Sequence, residues 1–179
     1  MASLKTAIPE LAGALDMKPA SIYERQRALV RAGLLKMRPG RGPGSGVLAT
    51  PESFAMLLIS LTVPSLSEVA RQTKIVAALK SETKRCPLTG KGTFASALTA
   101  VLRSEELANR VSFFRVDRGG LEFDATIAFD SKPGEPLSPE SSQPSHFGNG
   151  KAHKHQLYTQ TYLAISFPYA IRFLSETAP

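Results

Sequence analysis

The chain has 179 residues, 42% of them apolar, and a net charge of +7. That is enough for one medium domain or two small ones, with ample apolar content for a core. A single cysteine, Cys86, excludes an intrachain disulfide, and the longest apolar stretch, Phe54 to Val63, falls short of the roughly 20 residues that a bilayer helix needs. No cationic region followed by a long apolar run opens the chain, so a cytoplasmic protein with no membrane partner is expected.

The charge is uneven. Residues 1–50 hold eight Lys/Arg against three acids, a balance of +5 that leaves +2 for the other 129 residues. A basic first third suits a polyanion, because every phosphate neutralised releases counterions.

The first helix is expected to start near Ile8, capped by Thr6, with Pro9 in its first turn. Ile8, Leu11, Ala12 and Leu15 repeat at helical spacing and make one apolar stripe. Asp16-Met17-Lys18-Pro19 reads as a turn. A second helix follows to Ala32, with Ile22, Leu29 and Val30 facing inward and Gln26 at the edge. Gly33 supplies the left-handed cap. Strands Leu34–Arg38 and Val47–Thr50 then flank a tip, residues 39–46, with four glycines and two prolines.

The string SIYERQRALVRAGLL, residues 21–35, resembles the recognition helix and LxxxGLL exit of bacterial and phage winged helix-turn-helix regulators. The resemblance covers the first third of the chain. It implies a DNA-reading helix and a glycine-rich wing. The helix face opposite the apolar stripe carries Ala20, Ser21, Tyr23, Glu24, Arg27 and Arg31, where base edges and phosphates of a major groove would be met. Arg27 suits a two-pronged contact with guanine, Lys18 a phosphate. Arg38, Arg41, Gly42 and Ser45 belong to the wing, which suits a minor groove or the backbone.

Thr50 and Pro51 open a third helix whose face is Phe54, Leu57, Leu58 and Leu61, apolar enough to pack on the winged module and also to line a dimer interface. Pro64 ends it. Ser65 to Lys84 reads as a linking helix that could pair with its mate in a dimer. Arg85 to Gly92 is a turn-rich connector, and Cys86, with no histidine beside it, reads as a buried thiol. Thr93 caps a helix with Phe94, Ala97, Leu98, Val101 and Leu102 on one face, and Ser104 to Arg110 adds a short turn.

The period then changes to two. Val111–Val116 and Leu121–Phe129 read as strands joined by Asp117-Arg118-Gly119-Gly120. Phe123, Ala125, Ile127 and Phe129 share one face; Glu122, Asp124 and Thr126 share the other, expected to be solvated. Residues 131–155, with four prolines and five serines, read as a flexible loop. Leu157–Phe167 reads as a third strand and Tyr169–Glu176 as a final short helix.

The expected fold is α+β: a winged helix-turn-helix over 1–63, a linking helix over 64–84, and an α+β domain over 85–179 with a three-stranded antiparallel sheet. His153 and His155 lack partners at metal-ligand spacing, and no catalytic constellation stands out, so neither metal, cofactor nor enzyme activity is expected. A small effector could lie between the sheet and the Phe94 helix. The leading expectation is a sequence-specific regulator that binds double-stranded DNA as a homodimer. The alternatives are a non-regulatory winged module, for example in replication or partition, and an enzyme with a DNA-binding appendage.

Overall fold

In the computed structural model, which describes residues 3–38, 46–130, 142–149 and 159–163, Ser3 rather than Thr6 caps the first helix. The Ser3 hydroxyl accepts the Lys5 N–H at 3.3 Å, and helix α1 runs Leu4–Ala14, a full turn earlier than the sequence suggests. Both residues are good caps. A non-local pairing decides between them, because Ser3 also bridges Leu48. Pro9 therefore sits inside the helix, where one helical hydrogen bond is absent.

Helix α2 runs Pro19–Arg31 after a turn in which Asp16 takes a φ of 50°. Gly33, at φ 71°, ends it as expected. The hairpin that follows is shorter than expected: β1 is Met37–Arg38 and β2 is Gly46–Val47, paired antiparallel as Met37 with Val47 and Arg38 with Gly46. Leu35, expected in the strand, is instead drawn into the core at 4% exposure. The tip, with Arg41, Gly42 and Ser45, lies outside the described residues.

Helix α3, Pro51–Leu61, begins with a reciprocal cap between Thr50 and Ser53. Helix α4 is Val69–Ala77 and α5 is Phe94–Leu102, the latter capped reciprocally by Thr93 and Ser96. α3 is the central helix, packed by α2, α4 and α5. Phe54, Ala55, Leu57, Leu58 and Ile59 are all at most 2% exposed. Most of its apolar surface is thus covered within the chain, with Met56 half-buried.

The helix expected over 65–84 is also corrected, since α4 spans only nine residues. Val69, Gln72, Thr73 and Val76 turn into the core. Beyond it the helix does not continue, because the main chain at residues 80–82 finds partners across space. Lys80 bridges Thr93 and Ser81 bridges Phe147, while Glu82 N–H donates to the His146 carbonyl at 3.1 Å.

Helix α6, Glu105–Arg110, leads into a four-stranded antiparallel sheet of β3 (Val111–Gly119), β4 (Glu122–Asp130), β5 (Ser142–Phe147) and β6 (Thr159–Leu163), in the order β5-β4-β3-β6. Gly120 and Leu121 turn β3 into β4, with Gly120 at φ 60°. The expected flexible loop is corrected over 142–147, which pairs along β4 from Asp130 opposite Ser142 to Ala125 opposite Phe147. Pro144 is tolerated because β5 is an edge of the sheet. Of the third expected strand only 159–163 is described, and the final helix lies outside the described residues.

One sheet face packs on the helices. Phe94 of α5 meets Phe114 of β3 and Phe147 of β5 edge-on, at ring separations of 5.9 and 5.3 Å. Phe94 is fully buried, so side chains fill the space that the sequence left open to a small effector. The opposite face is not solvated as the sequence suggests: Asp117, Asp124 and Thr126 are all at most 5% exposed. Local partners hold the two carboxylates. Arg115 pairs with Asp117 at 2.9 Å, and the Asn149 N–H donates to Asp124 at 2.9 Å. Buried apolar side chains from Leu4 to Phe147 form one cluster that runs across the boundaries expected at 63/64 and 84/85.

Candidate nucleic-acid interface

At about 100° per residue, the α2 sequence separates three faces. Ile22, Gln26 and Leu29 turn into the core with Arg25 beside them, all at most 8% exposed. Ala20, Arg27 and Arg31 turn outward and are exposed, with Glu24 half-buried among them. Tyr23 and Val30 lie on the flank that looks toward the hairpin, and both are half-buried. Ser21 is exposed on the other flank, away from Tyr23.

Between α2, the start of α1 and the hairpin lies an open cleft of about 330 Å³. Tyr23, Arg27 and Arg31 line it from α2, Ser3 and Lys5 from the other helix, and Met37, Gly46 and Val47 from the hairpin. The Lys5 ammonium lies 5.4 Å from the centre of the Tyr23 ring, and the Arg27 guanidinium lies 6.0 Å from it. Two cations within cation–π range of one ring gather positive charge at the mouth of the cleft. Arg27 also pairs with Glu24 at 2.9 Å, with both side chains more than two-fifths exposed. Such a pair holds an arginine fork in place while adding little to stability.

The structure thus brings together Tyr23, Arg27 and Arg31 of the expected site. Lys18, Ala20, Ser21, Glu24 and Arg38 do not line the cleft. Lys18 is exposed at the N-terminal end of α2 and Arg38 is exposed at the base of the hairpin. Arg41, Gly42 and Ser45 lie outside the described residues.

Three residues that matter at this face are not visible as such in the sequence. A cap at Thr6 puts Lys5 upstream of the helix, whereas the cap at Ser3 places it in the first turn, beside the cleft. Met37 fits the strand pattern and nothing more, yet it is 59% exposed and lines the cleft. Arg25 sits where an arginine reads as solvated, but its Nη1 donates to the carbonyls of Ser60 and Val63 at 2.6 Å each. These are carbonyls at the C-terminal end of α3, where the helix dipole favours a cation. Burial lowers the pKa of this guanidinium below its ordinary value, but an arginine starts so high that it stays charged at neutral pH.

Among the described residues, no cluster of three or more His, Cys, Asp or Glu could hold a metal ion, and no helix is long and apolar enough to cross a membrane. His153 and His155 lie outside those residues. No family model, curated protein or solved structure matches the chain.

Proposed function

We propose that residues 3–63 form a winged helix-turn-helix and that the chain is a cytoplasmic, sequence-specific regulator that binds double-stranded DNA as a homodimer. The observation that carries this reading is the cationic cleft. Arg27 and Tyr23 on an exposed helix, with Lys5 over the same ring, face a hairpin across it. A helix with an outward face of Ala20, Arg27 and Arg31 has the width and chemistry to enter a major groove. Small residues such as Ala20 let the backbone approach, and arginine reads guanine. The bridge from Ser3 to Leu48 adds a third short pairing to the hairpin and fixes it against α1, as a wing must be fixed to act together with the helix.

In this reading Arg27 reads bases, while Tyr23, Ser21, Lys18 and Arg31 position the helix on the backbone. Glu24 orients Arg27. Arg38 and the tip residues Arg41, Gly42 and Ser45 serve the wing. Two copies on a pseudo-palindrome would place their recognition helices roughly 34 Å apart. The protein acts by binding, with no reaction of its own.

Selection of bound duplexes from a random pool tests the reading directly. Recovery of a two-fold symmetric site, bound by two copies per duplex, is the expected result. An unenriched pool, or one copy per selected duplex, would overturn the homodimeric regulator.

A further inference from the structure

Beyond residue 50 the chain has a net charge of only +2, yet residues 80–92 alone hold four cations, Lys80, Lys84, Arg85 and Lys91, against one acid, Glu82. All four are exposed, and among the described residues none of them pairs with a carboxylate. Among the described residues every arginine except Arg31, Arg38 and Arg85 donates to a carboxylate or a carbonyl. The first two lie on the face already proposed to meet DNA. The segment that carries Arg85 is held in shape by its own main chain. The Ser81 N–H donates to the Gly92 carbonyl at 3.0 Å and the Cys86 N–H to the Lys91 carbonyl at 2.7 Å, while the Gly90 N–H donates to the Cys86 carbonyl at 2.8 Å. The second of these bonds brings the main chain of Arg85 next to that of Lys91. Cys86 and Leu88 are buried anchors, and the Glu82 N–H ties the segment to β5. Lys84 takes a φ of 67°, a left-handed conformation that lysine rarely adopts, with its N–H bonded to the Ser81 carbonyl at 3.1 Å. Cations on a backbone fixed in advance lose less freedom when an anion binds.

We propose that residues 80–92 form a second phosphate-binding surface, which holds the sugar–phosphate backbone of duplex DNA that flanks the site met by α2. Lys84, Arg85 and Lys91 pair with phosphate oxygens, and Lys80 adds to the positive field. Apart from Pro87, the apolar side chains of the segment, Cys86 and Leu88, are buried. The surface therefore has nothing large and apolar to insert into a bilayer, and a polyanion in water suits it better. The segment follows the end of α4, and α4 packs on α2. A helix of nine residues is about 13 Å long, well short of a duplex turn of roughly 34 Å, so phosphates beside an α2 contact come within range of these cations. That the partner is DNA rests on the proposed function; the cationic surface itself does not.

Fluorescence anisotropy of the full chain on a selected and a random duplex, across a range of salt, tests the surface. Lys84→Ala, Arg85→Ala and Lys91→Ala combined should reduce the slope of log affinity against log salt by about 2–3 units. Affinity for both duplexes should fall by the same factor, about tenfold or more, because phosphate contacts carry no sequence information. Each single variant should melt with the parent and remove about one unit of slope, so the test holds even if the triple variant does not fold. Lys84→Arg with Lys91→Arg should bind as the parent does. Lys84→Gly separates charge from strain. Glycine takes the φ of 67° freely, so this variant should melt no lower than the parent and still lose about one unit of slope. A folded triple variant with the parent's slope would overturn the proposal. So would duplex binding that is kept while binding to vesicles of phosphatidylserine and phosphatidylcholine is lost, which would assign the surface to a membrane. Arg27→Ala keeps the two readings apart. If the triple variant loses affinity evenly and Arg27→Ala leaves the ratio of selected to random binding unchanged, the second surface stands and α2 is not the reading helix. The reverse pair of results upholds α2 and ends the second surface.

Discussion

Arg25 donates its Nη1 to the main-chain carbonyl of Ser60 at 2.6 Å, and so ties the helix that carries the exposed arginines to the end of the central helix. The same nitrogen bonds the Val63 carbonyl at 2.6 Å. The three arginines of α2 thus divide: Arg27 and Arg31 face out, and Arg25 faces in. Arg25→Met keeps the apolar stem but leaves two buried carbonyls without their charged donor. Urea unfolding should show a loss of about 2–4 kcal/mol. A loss below about 0.5 kcal/mol would mean that the α3 end is satisfied in another way.

The Glu24–Arg27 pair makes the opposite prediction. Both side chains are exposed by two-fifths or more, so Glu24→Gln should change stability by less than about 0.5 kcal/mol. It should nonetheless release Arg27 and remove a negative charge from the face proposed to meet DNA. Binding to random duplex should tighten, and preference at the base that Arg27 is proposed to read should weaken. Arg27→Ala should cost about 1–3 kcal/mol on a selected site and less on random DNA. Equal losses on both would show that Arg27 contacts only backbone.

Salt dependence bears on Lys5, which sits over Tyr23 at the mouth of the cleft. If its ammonium meets a phosphate, Lys5→Ala should reduce the slope of log affinity against log salt by about one unit. Lys74→Ala on α4, exposed and outside the cleft, is the matched control and should leave the slope unchanged. An unchanged slope for Lys5→Ala would remove it from the phosphate contacts.

What the sequence makes legible is whatever rests on short-range chemistry. The Gly33 cap, the Thr50 and Thr93 caps, and the β3–β4 hairpin all follow from residues within a few positions of one another. The misses are non-local. Ser3 outcompetes Thr6 as a cap through Leu48, and Arg25 is buried by carbonyls 35 and 38 residues away. Apolar periodicity shows that α3 is covered but not by what, so a central helix and a dimer helix look alike in the chain. Strand β5 has a proline- and serine-rich sequence that reads as loop. Its main chain pairs with β4, and Phe147 alone supplies the large buried side chain. At the candidate site the α2 arginines are legible from helix phase, whereas the cleft is a product of three elements and is not.

Phe94 is the joint between helices and sheet, with edge-on contacts to Phe114 and Phe147. Phe94→Ala removes both and opens a cavity in the centre of the shared core, at an expected cost of about 3–5 kcal/mol by urea unfolding. Since α2 packs on α3 and α4, which in turn pack on α5, the α2 face does not touch the cavity, and DNA affinity of the fraction that remains folded should not change. A specific loss of binding in folded Phe94→Ala would mean that the sheet and the α2 face are coupled.

Two glycines predict opposite signs for the same substitution. Gly148 has φ 116°, and a Cβ there would run into the Asp124 carboxylate and come within 3.0 Å of the Phe123 carbonyl. Its own N–H bonds the Lys80 carbonyl at 2.9 Å, and the next residue, Asn149, donates to Asp124. Gly148→Ala therefore strains the backbone, displaces a buried carboxylate and disturbs the pairing of β5 with residues 80–82, for a loss of about 2–4 kcal/mol. Gly13, inside α1, has nothing within 4 Å of the same added atom. There Gly13→Ala should stabilise by about 0.5–1 kcal/mol, because alanine favours the helix and restricts the unfolded chain. Thermal melts of the two variants should move in opposite directions from the parent. A Gly148→Ala protein that melts with the parent would show that the Asp124–Asn149 bond does not hold the end of β5.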